Sequence, residues 1–137
     1  MAEQHAHSYL QTHQMSGDLL RFHLNDEASA CMEQAKGSPQ GRAAKTLVRE
    51  GQLRLTVLAL RQGVALDEHV SPGATTIQVL RGTVRFTIAG QDLELNAGDV
   101  VALDGDPAHA VEGREDSVLL LTVTVPPGER SQAGRAG

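Results

Sequence analysis

The chain has 137 residues, 12 Lys and Arg against 17 Asp and Glu, and a formal net charge of −5, which makes a single domain the expectation, since domains run about 100–150 residues. Its bases are scattered singly rather than gathered into a stripe, which argues against a nucleic-acid partner held by its phosphates. No apolar run approaches the ~20 residues of a membrane helix, and the start, MAEQHAHSYLQTHQMSGD, lacks the charged-then-apolar plan of a signal peptide; a cytoplasmic protein with no membrane partner is expected.

The single cysteine, Cys31, rules out an internal disulfide framework and a Cys-rich zinc site, and is expected as a half-buried helix residue. Tyr9, Phe22 and Phe86 are the only aromatics, too few for a base-stacking surface. Residues 1–24 carry weak pattern, and His5, His7 and His13 form a loose tract of the sort polar termini carry without a role. A short helix is predicted over 26–36, with Asn25 or Asp26 as its cap, acids in its first turn, Lys36 in its last and Gly37 as a stop. Residues 37–41 then form a loop, which closes an N-terminal segment at about residue 45.

Glycine recurs at 51, 63, 73, 82, 90, 98, 105 and 113, at intervals of 7 to 12 residues. Turn signals at that spacing, with β-branched runs between them, predict an all-β sandwich or barrel. In 53–60 the alternation puts Leu53, Leu55, Val57 and Ala59 on one face; in 83–88 it sets Val84, Phe86 and Ile88 against Thr83, Arg85 and Thr87. Ala89, Gly90 and Gln91 make a tight hairpin turn into 92–95. The runs 98–103 and 117–125 are nearly continuous in apolar residues, which suits strands covered on both faces, once by the barrel and once by a partner subunit or a second sheet. About eight strands fit between Thr46 and Val125, and 126–137 has too little apolar surface to order itself, so a disordered tail is expected.

Two segments carry a family resemblance. Gly63-Val-Ala-Leu-Asp-Glu-His69-Val-Ser71-Pro-Gly-Ala-Thr75-Thr-Ile-Gln-Val-Leu-Arg-Gly82 resembles the first signature of the cupins, and Gly98-Asp-Val-Val-Ala-Leu-Asp104-Gly-Asp106-Pro-Ala-His109-Ala-Val-Glu-Gly113 resembles the second. The likeness is to small single-domain bacterial cupins of the RmlC type and runs from Thr46 to Val125. It implies a cupin-type double-stranded β-helix, a jelly-roll barrel over 46–125 with the short helix ahead of it. It also implies a divalent metal (Fe, Mn, Zn or Ni) held inside the barrel by two His and a Glu of the first signature and a His of the second. His69 and His109 fall on the first and last of these positions; Ser71 stands where the second His would be and Thr75 where the Glu would be. Asp104 and Asp106 replace the usual turn residues and Gly113 the final Asn, so the metal site is degenerate.

A catalytic Zn or Fe site normally has three protein ligands, and neutral hydroxyls are poor ones. The function expected is therefore small-molecule binding in the barrel pocket, with His69, Ser71, Thr75, Gln78 and His109 as ligand-binding residues and Leu55, Val57, Val79, Phe86, Val101 and Leu121 as apolar lining. The alternative is a metal-dependent enzyme, a dioxygenase, isomerase or lyase, with His69 and His109 as metal ligands and Asp67 or Glu68 as base. Arg54 and Arg85 are expected on outer faces, and a homodimer is expected in either case.

Overall fold

The structure is a computed structural model that describes residues 19–104 and 107–127, with Asp67, Glu68 and His69 described by their backbone alone. One helix, α1 (Leu24–Gly37), precedes nine strands: β1 (Arg42–Glu50), β2 (Leu53–Leu60), β3 (Ala65–His69), β4 (Thr75–Arg81), β5 (Thr83–Ile88), β6 (Gln91–Asn96), β7 (Val100–Leu103), β8 (His109–Gly113) and β9 (Ser117–Thr124). They form two antiparallel sheets, ordered β1-β2-β9-β4-β7 and β3-β8-β5-β6. The chain changes sheet at every step except β1 to β2 and β5 to β6, the double-sheet winding of a jelly roll. Among the described residues no helix is long and apolar enough to cross a membrane.

The helix starts earlier than predicted, because packing and not a side-chain cap sets its entry. His23 occupies the N-cap without a side-chain hydrogen bond, and the first bond of the ladder runs from the Glu27 amide to the His23 carbonyl at 3.0 Å. Leu20, Phe22 and Leu24 pack beside Ala28, Cys31, Met32 and Ala35 on the five-stranded sheet, so apolar contact on both sides of the cap fixes where the helix begins. Asp26 and Glu27 in the first turn and Lys36 in the last complement the helix dipole.

Residue alternation along β2 is as predicted, but its two faces have different covers. Val57 and Ala59, with Leu53 and Leu55 beside them, pack under α1, whereas Leu58 and Leu60 enter the core between the sheets. Leu55 and Val57 therefore do not line the barrel, as the sequence had suggested; Val79 and Phe86 do, and Val101 and Leu121 pack against them. The same geometry accounts for the apolar run of β9: Val118 and Leu120 face the helix layer while Leu119 and Leu121 face the barrel. The second cover of β9 is thus α1, not a partner subunit. Among the described residues β7, at the sheet edge, has no such cover, and Val100 is 57% exposed.

β1 was not separated from the N-terminal segment in the sequence; it begins at Arg42 and pairs with β2 along its length, with a bulge between Thr46 and Val48. The hairpin turn predicted over 89–91 is shorter by one residue: Gln91 already pairs with Ile88, and Ala89 and Gly90 alone make the turn, both at positive φ (50° and 77°), as a type I′ turn requires. Gly82, between β4 and β5, has φ +82°, and a Cβ there would collide with the Asp116 carbonyl and the Ser117 hydroxyl. From residue 128 the expected tail lies outside the described residues.

Candidate functional site

Packing is graded along the barrel. At one end the inward side chains are almost fully buried: Val79 and Val84 are 0% exposed, Leu119 1% and Leu95 6%. Further along the same strands, Ile88 and Leu121 are only partly buried, as are Val101 and Leu103 on β7, and Leu93, directly opposite Phe86 across the β5–β6 pair, is 41% exposed. Cross-strand partners share a face, so Leu93 belongs to the inner face even though it is exposed. The barrel is therefore more completely filled at one end than at the other.

His109 lies at the less filled end, directly opposite Ile88. It is 1% exposed, its ring centroid is 5.7 Å from that of Phe86 at an interplanar angle of 33°, and its Nδ1 is 3.5 Å from the Pro107 carbonyl. Its register partners are Ile88 on β5 and His69 on β3, so the two histidines singled out in the sequence stand on directly opposed backbone positions of neighbouring strands. A bulge between Leu66 and His69 resets the alternation of β3 and brings His69 into that register.

Thr75 is also inward and 3% exposed; its hydroxyl donates to the Gly73 carbonyl at 2.9 Å. Ser71 is partly buried in the bend between β3 and β4. Gln78 is not brought to this site. Its neighbours Ile77 and Val79 enter the barrel core, and Leu80, two residues along on the same face as Gln78, packs under the helix; Gln78 therefore lies on the outer face of β4.

The two arginines divide. Arg85 is on the outer face as expected, paired with Glu112, whose carboxylate pushes the guanidinium pKa up through hydrogen bonding and charge. Arg54 has the inward parity of Leu58 and Leu60 and pairs with Val123, which in turn pairs with Thr75. It thus belongs to the inner face at the less filled end, contrary to expectation. Its guanidinium donates to the carbonyls of Gly51 and Leu53 at 2.8 and 3.0 Å. Alternation counted back from Leu58 would have found it.

Among the described residues no three His, Cys, Asp or Glu side chains converge as a metal site. The side chains of Asp67, Glu68 and His69, the His5, His7 and His13 tract, and Asp106 lie outside the described residues. Asp104 is exposed. Gly113 ends β8 in close contact, since a Cβ would lie 3.0 Å from the Glu115 carbonyl and 3.1 Å from that of Arg61; this is a spatial reason for glycine where the family signature has Asn. Cys31 lies away from the site beneath α1, 3.4 Å from the Ala43 carbonyl, and burial pushes its thiol pKa up, which makes it an inert packing residue. A groove of about 280 Å³ on the outer face of the four-stranded sheet is lined by Ala65, Ala110, Arg85, Glu112, Thr87 and Asp92. Its charges are engaged with one another: Arg85 with Glu112, and Asp92 accepting from the Thr87 hydroxyl at 2.7 Å.

Known structures share the architecture. A conserved protein of unknown function from Streptococcus pyogenes is 27% identical, with a TM-score of 0.60 over 65% of this chain and 78% of its own. A cupin 2 conserved barrel domain protein from Leptotrichia buccalis is also 27% identical, with a TM-score of 0.59 over 64% of this chain and 42% of its own. A salicylate 1,2-dioxygenase from Pseudaminobacter salicylatoxidans shares the fold at 16% identity, with a TM-score of 0.66 over 79% of this chain and 35% of its own. No curated protein matches by sequence. The cupin domain family model matches residues 56–126, more than half of the chain and β3 to β9 in full; with the jelly-roll winding and the two signature segments, this chain belongs to the cupin domain family.

Proposed function

We propose that this cupin binds a small molecule at the less filled end of its barrel, with His109 at the floor of the site. The observation that carries this is the packing gradient: inward side chains pass from fully buried at Val79, Val84 and Leu119 to partly exposed at Ile88, Leu103 and Leu121, and the buried polar His109 and Thr75 are direct register partners of Ile88 and Leu103 at that less filled end. A largely pre-formed apolar recess with few polar anchors is the usual form of a small-molecule site.

A second reading, a metal-dependent dioxygenase, isomerase or lyase, draws support from the direct register of His69 with His109. The four family positions do not fit that group well here. They offer two imidazoles and two hydroxyls, and the Thr75 hydroxyl keeps its proton to donate to Gly73, so the set is one ligand short of the usual three. The wild-type protein, purified without a histidine tag, is expected to hold well under one equivalent of divalent metal by elemental analysis, while small organic ligands raise its melting temperature. Near-stoichiometric metal that disappears in both His69→Ala and His109→Ala would overturn the binding reading in favour of the enzyme.

The uncovered Val100 at the β7 edge supports a homodimer. Light scattering is expected to give twice the 14.6 kDa chain mass, and Val100→Lys to shift it toward the monomer; a wild-type monomer at all concentrations would refute the assembly.

A further inference from the structure

The outer face of the five-stranded sheet has two halves, and one of them bears on how two copies of the chain meet. On the first half α1 packs against Val57 and Ala59 of β2 and Val118 of β9, and its cover ends at Leu80 and Leu120. On the second half the register sets Thr122 beside Thr76, Thr76 beside Ala102 and Gln78 beside Val100. Cross-strand partners share a face and Gln78 is on the outer one, so these five side chains form one patch across β9, β4 and β7. Val100 and Ala102 are exposed, and Thr76, Gln78 and Thr122 are partly buried.

None of the five side chains is charged, whereas the outer face of the four-stranded sheet carries Arg85, Asp92, Glu94 and Glu112. Charges stand at the ends of the patch instead: Asp99 and Asp104, both exposed, bracket β7, and Arg81 closes β4 with its guanidinium donating to the Asn25 carbonyl at 2.9 Å. An uncharged centre with a charged rim is the plan of a protein interface, and here it suits one partner in particular. In an isologous contact a patch meets itself, so a charge near the two-fold axis meets its like. A patch of amide, hydroxyl and aliphatic groups meets its own copy without that repulsion, and an amide both donates and accepts, which lets Gln78 pair with its counterpart.

We propose that a second copy of this chain seats on this patch, face to face across a two-fold axis beside Gln78, and in doing so backs one wall of the barrel recess. This rests on the homodimer reading above and gives it a geometry. Alternation supplies the link to the recess: Ile77, Val101 and Leu103 face the barrel from the strands that carry Gln78, Val100 and Ala102 outward. β7 is four residues long and, among the described residues, pairs only with β4, so the second copy is its other support.

A charge-swap pair in the full chain tests this by light scattering across a concentration series. Gln78→Lys and Gln78→Glu are each expected to raise the dimer dissociation constant by roughly tenfold or more, through like charges meeting at the axis, while their equimolar mixture recovers the dimer. Glu94→Lys, on the outer face of the other sheet, should associate as the wild type does. Amide hydrogen exchange over 99–103 should be severalfold faster in Gln78→Lys than in the wild type, and melting curves check that the variants remain folded. Undiminished dimer in both Gln78 variants, or a mixture no more associated than either alone, would overturn this face and leave the homodimer standing. Equal exchange over 99–103 in the dissociated variant and the wild-type dimer would overturn the backing of β7. A wild-type monomer at all concentrations would overturn both the face and the dimer, and leave the patch to residues 1–18 or to a different protein.

Discussion

Phe86→Ala is expected to lower the free energy of unfolding by about 3–5 kcal/mol and the melting temperature by roughly 10–20 °C. Phe86 is 1% exposed and sits among Ile77, Val84, Leu95, Val111 and Leu119, and it is the one aromatic residue of that cluster in a chain with two Phe and no Trp. Its neighbours stand on strands whose spacing is fixed by ladder hydrogen bonds, so the walls cannot close around the void and the cavity cost adds to the lost transfer energy. The void would also open beside His109, whose ring lies against Phe86. Ligand binding should therefore fall with stability in Phe86→Ala, and both should recover in part in Phe86→Leu, which restores much of the volume. Urea titration with linear extrapolation measures the first; a loss below about 1 kcal/mol would mean that the barrel is not close-packed beneath its site.

The contrast between Phe86 and Leu55 shows what was legible in the sequence. Both lie on strands whose alternation was correctly predicted, and the glycine spacing with the two signature segments gave the jelly roll. Alternation states which residues share a face, however, and not what covers that face. For β5 the polar alternates Thr83, Arg85 and Thr87 identify the inside unaided, whereas β2 has apolar residues on both sides, and only the position of α1 separates Leu55 and Val57 from Leu58 and Leu60. Arg54 was expected on the outer face for the same reason, and the face of Gln78 could not be counted from His69 across the break at Pro72 and Gly73. The inward, buried placement of His109 and Thr75 agrees with the spacing of the two signature segments. Leu93 was not legible, because its significance lies in being exposed on a face that is buried elsewhere, a property of the barrel's less filled end and not of any local pattern.

Lys45→Met should cost about 3–5 kcal/mol, the scale for leaving a buried charge without its partner. Glu27 is 1% exposed in the first turn of α1, and Lys45 Nζ on β1 donates to its Oε1 at 3.1 Å, while Oε2 has no hydrogen-bond partner. The lysine is 26% exposed, so it keeps much of its hydration and the carboxylate bears most of the desolvation. The first-turn position offsets about 0.3–1 kcal/mol of that through the helix dipole, too little to hold the charge alone. The double variant Glu27→Met/Lys45→Met is accordingly expected to be at least as stable as the wild type, since replacing both members of a buried pair with apolar groups of similar volume is neutral or favourable by about 1–4 kcal/mol. A double-mutant cycle in urea separates the cases: additive losses would mean that the pair behaves as a surface bridge worth under about 1 kcal/mol. Burial of Ala28, Met32 and Ala35 drives the helix onto the sheet without setting its register, because apolar attraction is non-directional. The Glu27–Lys45 contact, the Arg81 guanidinium donating to the Asn25 carbonyl and, one turn later, the Cys31 thiol against the Ala43 carbonyl are directional contacts that select a single register from those the apolar face would accept.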